Sequence, residues 1–193
     1  RLLLGGPDEF RLDDRFPGEL ARTSGATFAD LDGDGDLDLV VARNPQPGDE
    51  LTERPTTVYE NRGDGWAAAA EPAPTTAARS VAALDVDRDG LTDLLVLGDR
   101  FGDGPTLALR NAGGFDFEDA TVDWGVPDDL RGLALATVDL DGDGRLDVVT
   151  SGDPRVLRGG PDGFTVEEVP ELRWRTHGDE DDPAGVDIGD LDG

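Results

Sequence analysis

Short apolar runs recur along the chain between acidic, glycine-rich segments. The clearest contain only Leu and Val and lie at 39–41, 94–96 and 148–149. Continuous apolar runs of this length, bounded by turn residues, are typical of strands buried on both faces. A second series of short strands is predicted, after a loop of variable length, at 57–59, 107–109 and 155–157. The pattern therefore predicts an all-β chain.

A strand with one face of small residues precedes each buried run. The small residues stand at equivalent positions, with an apolar residue next to each of them: Gly25, Ser80, Ala134 and Gly185. Alternation with a period of two indicates a strand. A face of small side chains suits a crowded place, such as the innermost strand of a propeller blade beside a narrow central channel.

A tight turn recurs four times and ends each time on an aromatic residue. The turns start with Asn or Gly, contain Gly or Pro, and lead to Phe10, Trp66, Phe115 and Phe164. Asn, Gly and Pro favour tight reversals of the chain. Each aromatic residue is therefore predicted to open a fourth strand and to pack between neighbouring sheets.

These elements form one repeating unit of four short strands. Aligned on the first Asp of an acidic loop, the copies start 55, 54 and 51 residues apart, a spacing that indicates a repeat fold. We expect one domain over 1–193, a β-propeller fragment of four-stranded antiparallel blades. Complete blades are predicted at 25–70, 80–120 and 134–169, and partial ones at 1–20 and 185–193. Because both chain ends fall inside a repeat, we expect a piece of a longer protein.

The acidic loop joins the first and second strands of each unit. It reads Asp-x-Asp-x-Asp-Gly-x-x-Asp at 30–38, 85–93 and 139–147, and a truncated copy follows at 190–193. Ca²⁺ prefers about six to eight oxygen ligands. A wound loop can direct side chains 1, 3, 5 and 9 inward, glycine at position 6 permits the bend, and position 7 can offer its backbone carbonyl.

The predicted metal ligands follow from this numbering of the loop. They are Asp30, Asp32, Asp34, Asp36 and Asp38; Asp85, Asp87, Asp89, Leu91 and Asp93; Asp139, Asp141, Asp143, Arg145 and Asp147; and, in the truncated copy, Asp190 and Asp192. Because Cys and His do not occur at these positions, Ca²⁺ is favoured over Zn²⁺ and softer metals. About three complete calcium sites are expected. The alternative is that the loops are solvated Asp-Gly turns without metal.

Two other calcium-loop families are excluded by position and period. An EF-hand needs a carboxylate at position 12 and a helix after it. Position 12 is instead Val41, Val96 or Thr150, each within a predicted strand. Nonapeptide β-roll repeats would recur every nine residues or so.

The Asp loop followed by a strand, on this period, resembles the FG-GAP/VCBS repeat of integrin α-subunit propellers and many bacterial surface proteins. The stretch 117–121 with Trp124 and Val126, ahead of Gly132 and the third loop, is also similar to the ASPIC/UnbV and cartilage acidic protein branch. The resemblance implies a β-propeller, usually seven-bladed, with Ca²⁺ in loops on one face. It implies adhesion or recognition at the cell surface or outside the cell, generally without catalysis.

The charge limits the partners. Among 193 residues, 17 basic and 44 acidic ones give a formal charge of −27. Nucleic acid and anionic membrane surfaces would repel such a chain, and no apolar run approaches the ~18 residues of a membrane span. We expect a protein or glycan partner at a surface, and self-assembly is an alternative. The chain has no Cys, so no disulfide or thiolate site is expected.

Three other functions compete with adhesion. A lectin-like propeller would need exposed aromatic platforms, for which Trp124 and Trp174 are the candidates. A propeller enzyme would need a cluster of His, Tyr and Arg, but His177 and Tyr59 are the only His and Tyr, so no catalytic residues are expected. A structural or filament role stays open.

The tripeptide 62–64, Arg-Gly-Asp, falls in the recurring turn and is interpreted as turn residues.

Overall fold

The computed structural model describes residues 1–17, 22–44, 55–73, 77–152, 154–169 and 185–189. Within these residues the chain forms strands and turns but no helix, and therefore no helix that could span a membrane. The all-β prediction is confirmed. Residues 170–184, between the third complete predicted blade and the partial one that follows, lie outside the described residues.

The strands form one hairpin and three four-stranded sheets. The hairpin consists of β1 (Leu3–Gly5) and β2 (Phe10–Leu12). Sheet 1 contains β3 (Thr23–Ala29), β4 (Asp38–Arg43), β5 (Thr57–Asn61) and β6 (Trp66–Ala70). Sheet 2 contains β7 (Ala78–Leu84), β8 (Asp93–Gly98), β9 (Leu107–Gly113) and β10 (Asp116–Asp119). Sheet 3 contains β11 (Ala134–Val138), β12 (Asp147–Ser151), β13 (Arg155–Gly160) and β14 (Gly163–Glu168).

Each four-stranded sheet is an antiparallel meander in which sequence neighbours pair. This is the strand order of a propeller blade, and it confirms the predicted fold class. The sheets span 23–70, 78–119 and 134–168, within two residues of the predicted blades. Residues 185–189 carry no strand, so the start of a further blade at 185–193 stays a prediction, as does the single domain.

The second strand of each sheet is buried along its whole length. Every residue of β4, β8 and β12 is buried, as expected for a strand covered on both faces. One apolar core lies between sheets 1 and 2 and contains Val40, Val58 and Leu94. A second lies between sheets 2 and 3 and includes Trp124 and Leu130 from the connection after β10. Neighbouring sheets are therefore joined by apolar packing.

The small face of the first strand lies where the sheets meet. A Cβ atom added to Gly25 in β3 would come within 3.0 Å of the Ser80 Cα in β7. The Ser24 hydroxyl also donates to the Ala78 carbonyl oxygen at 2.6 Å. The first strands of sheets 1 and 2 are therefore in backbone contact, which explains why this position holds a glycine.

The four turn aromatics have different environments. Phe164 is buried between sheets 2 and 3, and Phe115 packs on the core of sheets 1 and 2. Trp66 packs edge-on against Phe16. Phe10 is 77% exposed, so its predicted packing between sheets is wrong. The physical reason is that all six residues of the two-stranded hairpin are exposed, and the hairpin offers this ring no apolar layer.

Candidate metal centre

The three complete acidic loops join the first and second strands of the three sheets, as predicted. We call 30–38 loop 1, 85–93 loop 2 and 139–147 loop 3. Each is wound around its first carboxylate. In loop 1, Asp30 accepts the N–H groups of Gly33 at 2.8 Å and Gly35 at 3.1 Å. Asp139 does the same in loop 3, and Asp85 accepts from Gly90 in loop 2.

Glycine at position 6 is required by the backbone. Gly35, Gly90 and Gly144 have φ angles of 92°, 91° and 81°, a region that residues with a Cβ rarely adopt. Position 4 is also left-handed, and Arg88 occupies it in loop 2 with a φ of 61°. The predicted role of the glycine is therefore confirmed.

The last Asp of each loop, position 9, connects three segments of its sheet. Asp38, Asp93 and Asp147 are all at most 2% exposed. One oxygen of each accepts the N–H of position 2, at 2.9–3.0 Å. The other accepts a backbone N–H from the third strand, which belongs to Asn61, Asn111 or Gly159, at 2.8–2.9 Å. This carboxylate therefore ties the loop to the third strand of the same sheet.

Burial makes the negative charge costly at two of these three carboxylates, Asp38 and Asp93. Burial raises the pKa of Asp93 to about 6, although two backbone N–H groups oppose the shift, and Asp87 and Asp89 raise it further. Burial also raises the pKa of Asp38. A nearby cation would favour the ionised carboxylate and reverse this shift.

The structure brings three carboxylates together in each loop. The clusters are Asp30, Asp32 and Asp38; Asp85, Asp87 and Asp93; and Asp139, Asp141 and Asp143. Within each cluster the oxygens lie within 4.8 Å of one another. Two oxygens that bind one Ca²⁺ at ~2.3–2.6 Å can be at most about 5.2 Å apart, so each cluster fits a single ion. Three Asp clusters can therefore hold a metal ion.

Some predicted ligands lie outside these clusters. Asp34 and Asp89, at position 5, accept the N–H group of position 7 at 2.8 Å. Asp147 is absent from the third cluster. The position-7 carbonyls of Asp36, Leu91 and Arg145 stay predicted ligands. Asp190 and Asp192 lie outside the described residues.

Neighbouring sheets contact each other at the loops. The Asn111 side-chain amide, in the third strand of sheet 2, donates to the Leu31 carbonyl oxygen of loop 1 at 2.7 Å. The Arg88 guanidinium of loop 2 donates to the Gly144 carbonyl oxygen of loop 3. The three loops therefore form a connected series along one side of the sheets.

Two arginines on third strands were missed by the sequence analysis. Arg110 Nε lies 3.0 Å from Asp87 Oδ2 in loop 2, and Arg158 Nη1 lies 3.2 Å from Asp147 Oδ2 in loop 3. Both stand one residue before the third-strand N–H group that binds the position-9 Asp. The aligned repeats show that the two arginines occupy equivalent positions, but they do not show that the arginines contact the loops.

Comparison with protein families identifies the repeat. The model of the FG-GAP-like repeat matches residues 30–96 and 85–150, which together cover more than half of the chain. The chain belongs to the FG-GAP-like repeat family. Each match begins on the first Asp of a loop and ends in the second strand of the next repeat, so each match contains two complete Asp loops. Comparison with curated proteins finds no match.

The structure also describes some of the residues that the sequence analysis considered for functions other than metal binding. Arg62 pairs with Glu60 at 2.7 Å, and its N–H donates to the Gly65 carbonyl oxygen, so the 62–64 tripeptide is part of a tight turn, as interpreted. Trp124 is 3% exposed and cannot serve as the exposed platform considered for glycan binding. His177 and Trp174 lie outside the described residues.

Proposed function

We propose that this chain is a calcium-binding FG-GAP propeller module that acts in interaction or adhesion at the cell surface or outside the cell. The observation that carries the proposal is the occurrence of three carboxylate clusters at equivalent places in three sheets. All clustered groups are oxygen donors, which favours a hard cation.

The loops indicate what bound calcium would do. Positions 1, 3 and 9 would hold the ion in loops 1 and 2, and positions 1, 3 and 5 in loop 3. In loops 1 and 2, position 9 is also bonded to the third strand, so the ion would brace the loop against three strands of its sheet. It would neutralise carboxylates that burial otherwise makes costly to ionise.

Calcium titration tests the proposal. Calorimetric titration into chelator-treated protein should give about three sites, and calcium should raise the melting temperature, because it binds the folded loops. Asp87→Asn should weaken one site and leave the other two. The absence of binding heat together with an unchanged melting temperature would contradict the proposal.

The interaction role rests on family membership and charge. A surface with a formal charge of −27 favours a basic protein partner or a glycan bridged by cations over nucleic acid. Sites of the extracellular type, with dissociation constants of ~10⁻⁴–10⁻³ M, would fill where calcium is abundant. We propose no catalytic role for this segment.

A further inference from the structure

The three loops share one motif but differ in charge. Loop 1 contains five Asp and no basic residue, which gives a formal charge of −5. Loops 2 and 3 each contain four Asp and one Arg, which gives −3. Loop 1 is therefore the most negative of the three before any neighbour is considered.

The third strands increase this difference. Tyr59, Leu109 and Leu157 occupy equivalent places in the third strands, because each pairs with the first apolar residue of its second strand. The next residue is Glu60 in sheet 1, Arg110 in sheet 2 and Arg158 in sheet 3, and both arginines contact the loop of their sheet. The same structural position thus carries a negative charge beside loop 1 and a positive charge beside loops 2 and 3.

Both arginines contact carboxylates that were predicted to bind metal. Arg110 pairs with Asp87, a member of the second cluster, and lies over the Trp124 ring at 4.9 Å from its centroid. Arg158 pairs with Asp147, whose equivalents Asp38 and Asp93 do belong to their clusters. Glu60 pairs instead with Arg62 of the following turn.

We infer that loop 1 is the high-affinity calcium site and that Arg110 and Arg158 are resident counter-cations that weaken calcium binding in loops 2 and 3. This inference rests on the proposed calcium function. A guanidinium that holds a ligand carboxylate competes with an incoming cation for that oxygen and repels it over short distances. The same arginines reduce the repulsion between carboxylates in the metal-free loops 2 and 3. In loop 1, Asp36 increases that repulsion.

The inference predicts two classes of site in one chain. Loop 1 fills first and keeps sheet 1 braced at low calcium. Loops 2 and 3 fill only as calcium rises, because Arg110 occupies a clustered carboxylate in loop 2 and Arg158 places a positive charge at Asp147, beside the cluster of loop 3. Rising calcium therefore makes the chain rigid in two steps, first at sheet 1 and then at sheets 2 and 3.

The test measures each site alone by calorimetric calcium titration of the full chain. Loop 1 is isolated by combining Asp87→Asn with Asp141→Asn, loop 2 by Asp32→Asn with Asp141→Asn, and loop 3 by Asp32→Asn with Asp87→Asn. Loop 1 should bind most tightly. Arg110→Gln should tighten loop 2 about tenfold, Arg158→Gln should tighten loop 3 similarly, and Glu60→Arg should weaken loop 1 by a comparable factor.

The controls separate local from general charge effects. Arg11→Gln, at an exposed hairpin residue paired with Glu9, changes the net charge equally and should alter no site by more than about twofold. Arg110→Lys keeps the charge and should stay near wild type. A purely structural Arg110 would make Arg110→Gln weaken calcium binding, so the sign of the effect separates the two roles. Melting of each calcium-free variant checks its folding.

The outcomes separate this inference from the function on which it rests. Stronger binding in the arginine variants, with loop 1 tightest, supports it. Calcium binding that these substitutions leave unchanged, or that they weaken, overturns the inference but not the calcium function. No calcium binding in the wild-type protein overturns both.

Discussion

The two neighbours of sheet 1 are attached to it by different forces. Sheet 2 meets sheet 1 through an apolar core of Val, Leu and Ala side chains. The hairpin meets it through a polar anchor, in which buried Asp13 accepts from Arg15 and from the Trp66 indole N–H at 3.2 Å. Phe16 adds an aromatic contact with Tyr59 at 5.0 Å between ring centroids. The contact with sheet 2 therefore depends mainly on apolar burial, whereas the contact with the hairpin depends on charge, pH and salt as well.

The largest expected effect comes from the apolar contacts. Leu94 is 1% exposed in the core of sheets 1 and 2, and Leu94→Ala should lower the free energy of unfolding by about 2–5 kcal/mol. Leu12→Ala, at a hairpin residue that is 49% exposed, is the matched control and should cost less than about 0.5 kcal/mol. Denaturant unfolding measures both. Equal losses would contradict the contrast between core and hairpin.

A smaller effect should follow from breaking the polar anchor. Asp13→Asn removes the charge that pairs with Arg15 and accepts from Trp66, so the melting temperature should fall. The adjacent, exposed Asp14 provides the control, because Asp14→Asn changes the net charge equally and should leave melting almost unchanged. Thermal melts in the presence of calcium measure the difference. Similar shifts for both variants would show that net charge alone is responsible.

The anchor should also depend on pH. The hydrogen bonds from Arg15 lower the pKa of Asp13 to about 2, although partial burial opposes the shift. A lowered pKa stabilises the fold fully above the unfolded value near ~3.9, and the contribution disappears as pH falls through the folded value. The stability difference between wild type and Asp13→Asn should therefore be constant from pH 7 to 5, fall as the pH drops towards 2, and disappear below that pH. A difference that grows on acidification would contradict this assignment.

The smallest predicted effect concerns one hydrogen bond. Trp66→Phe keeps an aromatic ring beside Phe16 but removes the N–H donor to Asp13, and it should cost about 1 kcal/mol. In an Asp13→Asn background the same substitution should cost less, because the charged acceptor is already gone. A double-mutant cycle measures this coupling. Additive effects would mean that Trp66 contributes through packing alone.

Much of the fold could be predicted from local patterns. Asp-Gly loops fix the local backbone, and runs such as 94–96 are apolar enough to be buried in any blade. Phe10 could not be placed in the same way, because its burial depends on a layer from another part of the chain. The turn pattern is the same for Phe10 and Phe164, but only Phe164 has such a layer.

The candidate site likewise contains features that the sequence predicts and features that it does not. The loop glycines and the clustered Asp residues could be predicted, because they lie within nine consecutive residues. The loop contacts of Arg110 and Arg158 depend on the register between β9 or β13 and the neighbouring second strand, which the motif does not contain. Asp147 stays a predicted ligand from its position in the motif, and its ion pair with Arg158 could not be read from that motif.

The hydrogen bond of the Asn111 side chain determines where the chain can be truncated without loss of a contact. It belongs to the second repeat, but its amide donates to the Leu31 carbonyl oxygen in the first. A truncation at 73–77 would preserve all four strands of sheet 1 and still remove a donor from loop 1. The contacts that complete loop 1 therefore extend beyond the sequence repeat that contains this loop. A single repeat cut out at its sequence boundaries would contain its motif without the contacts that complete it.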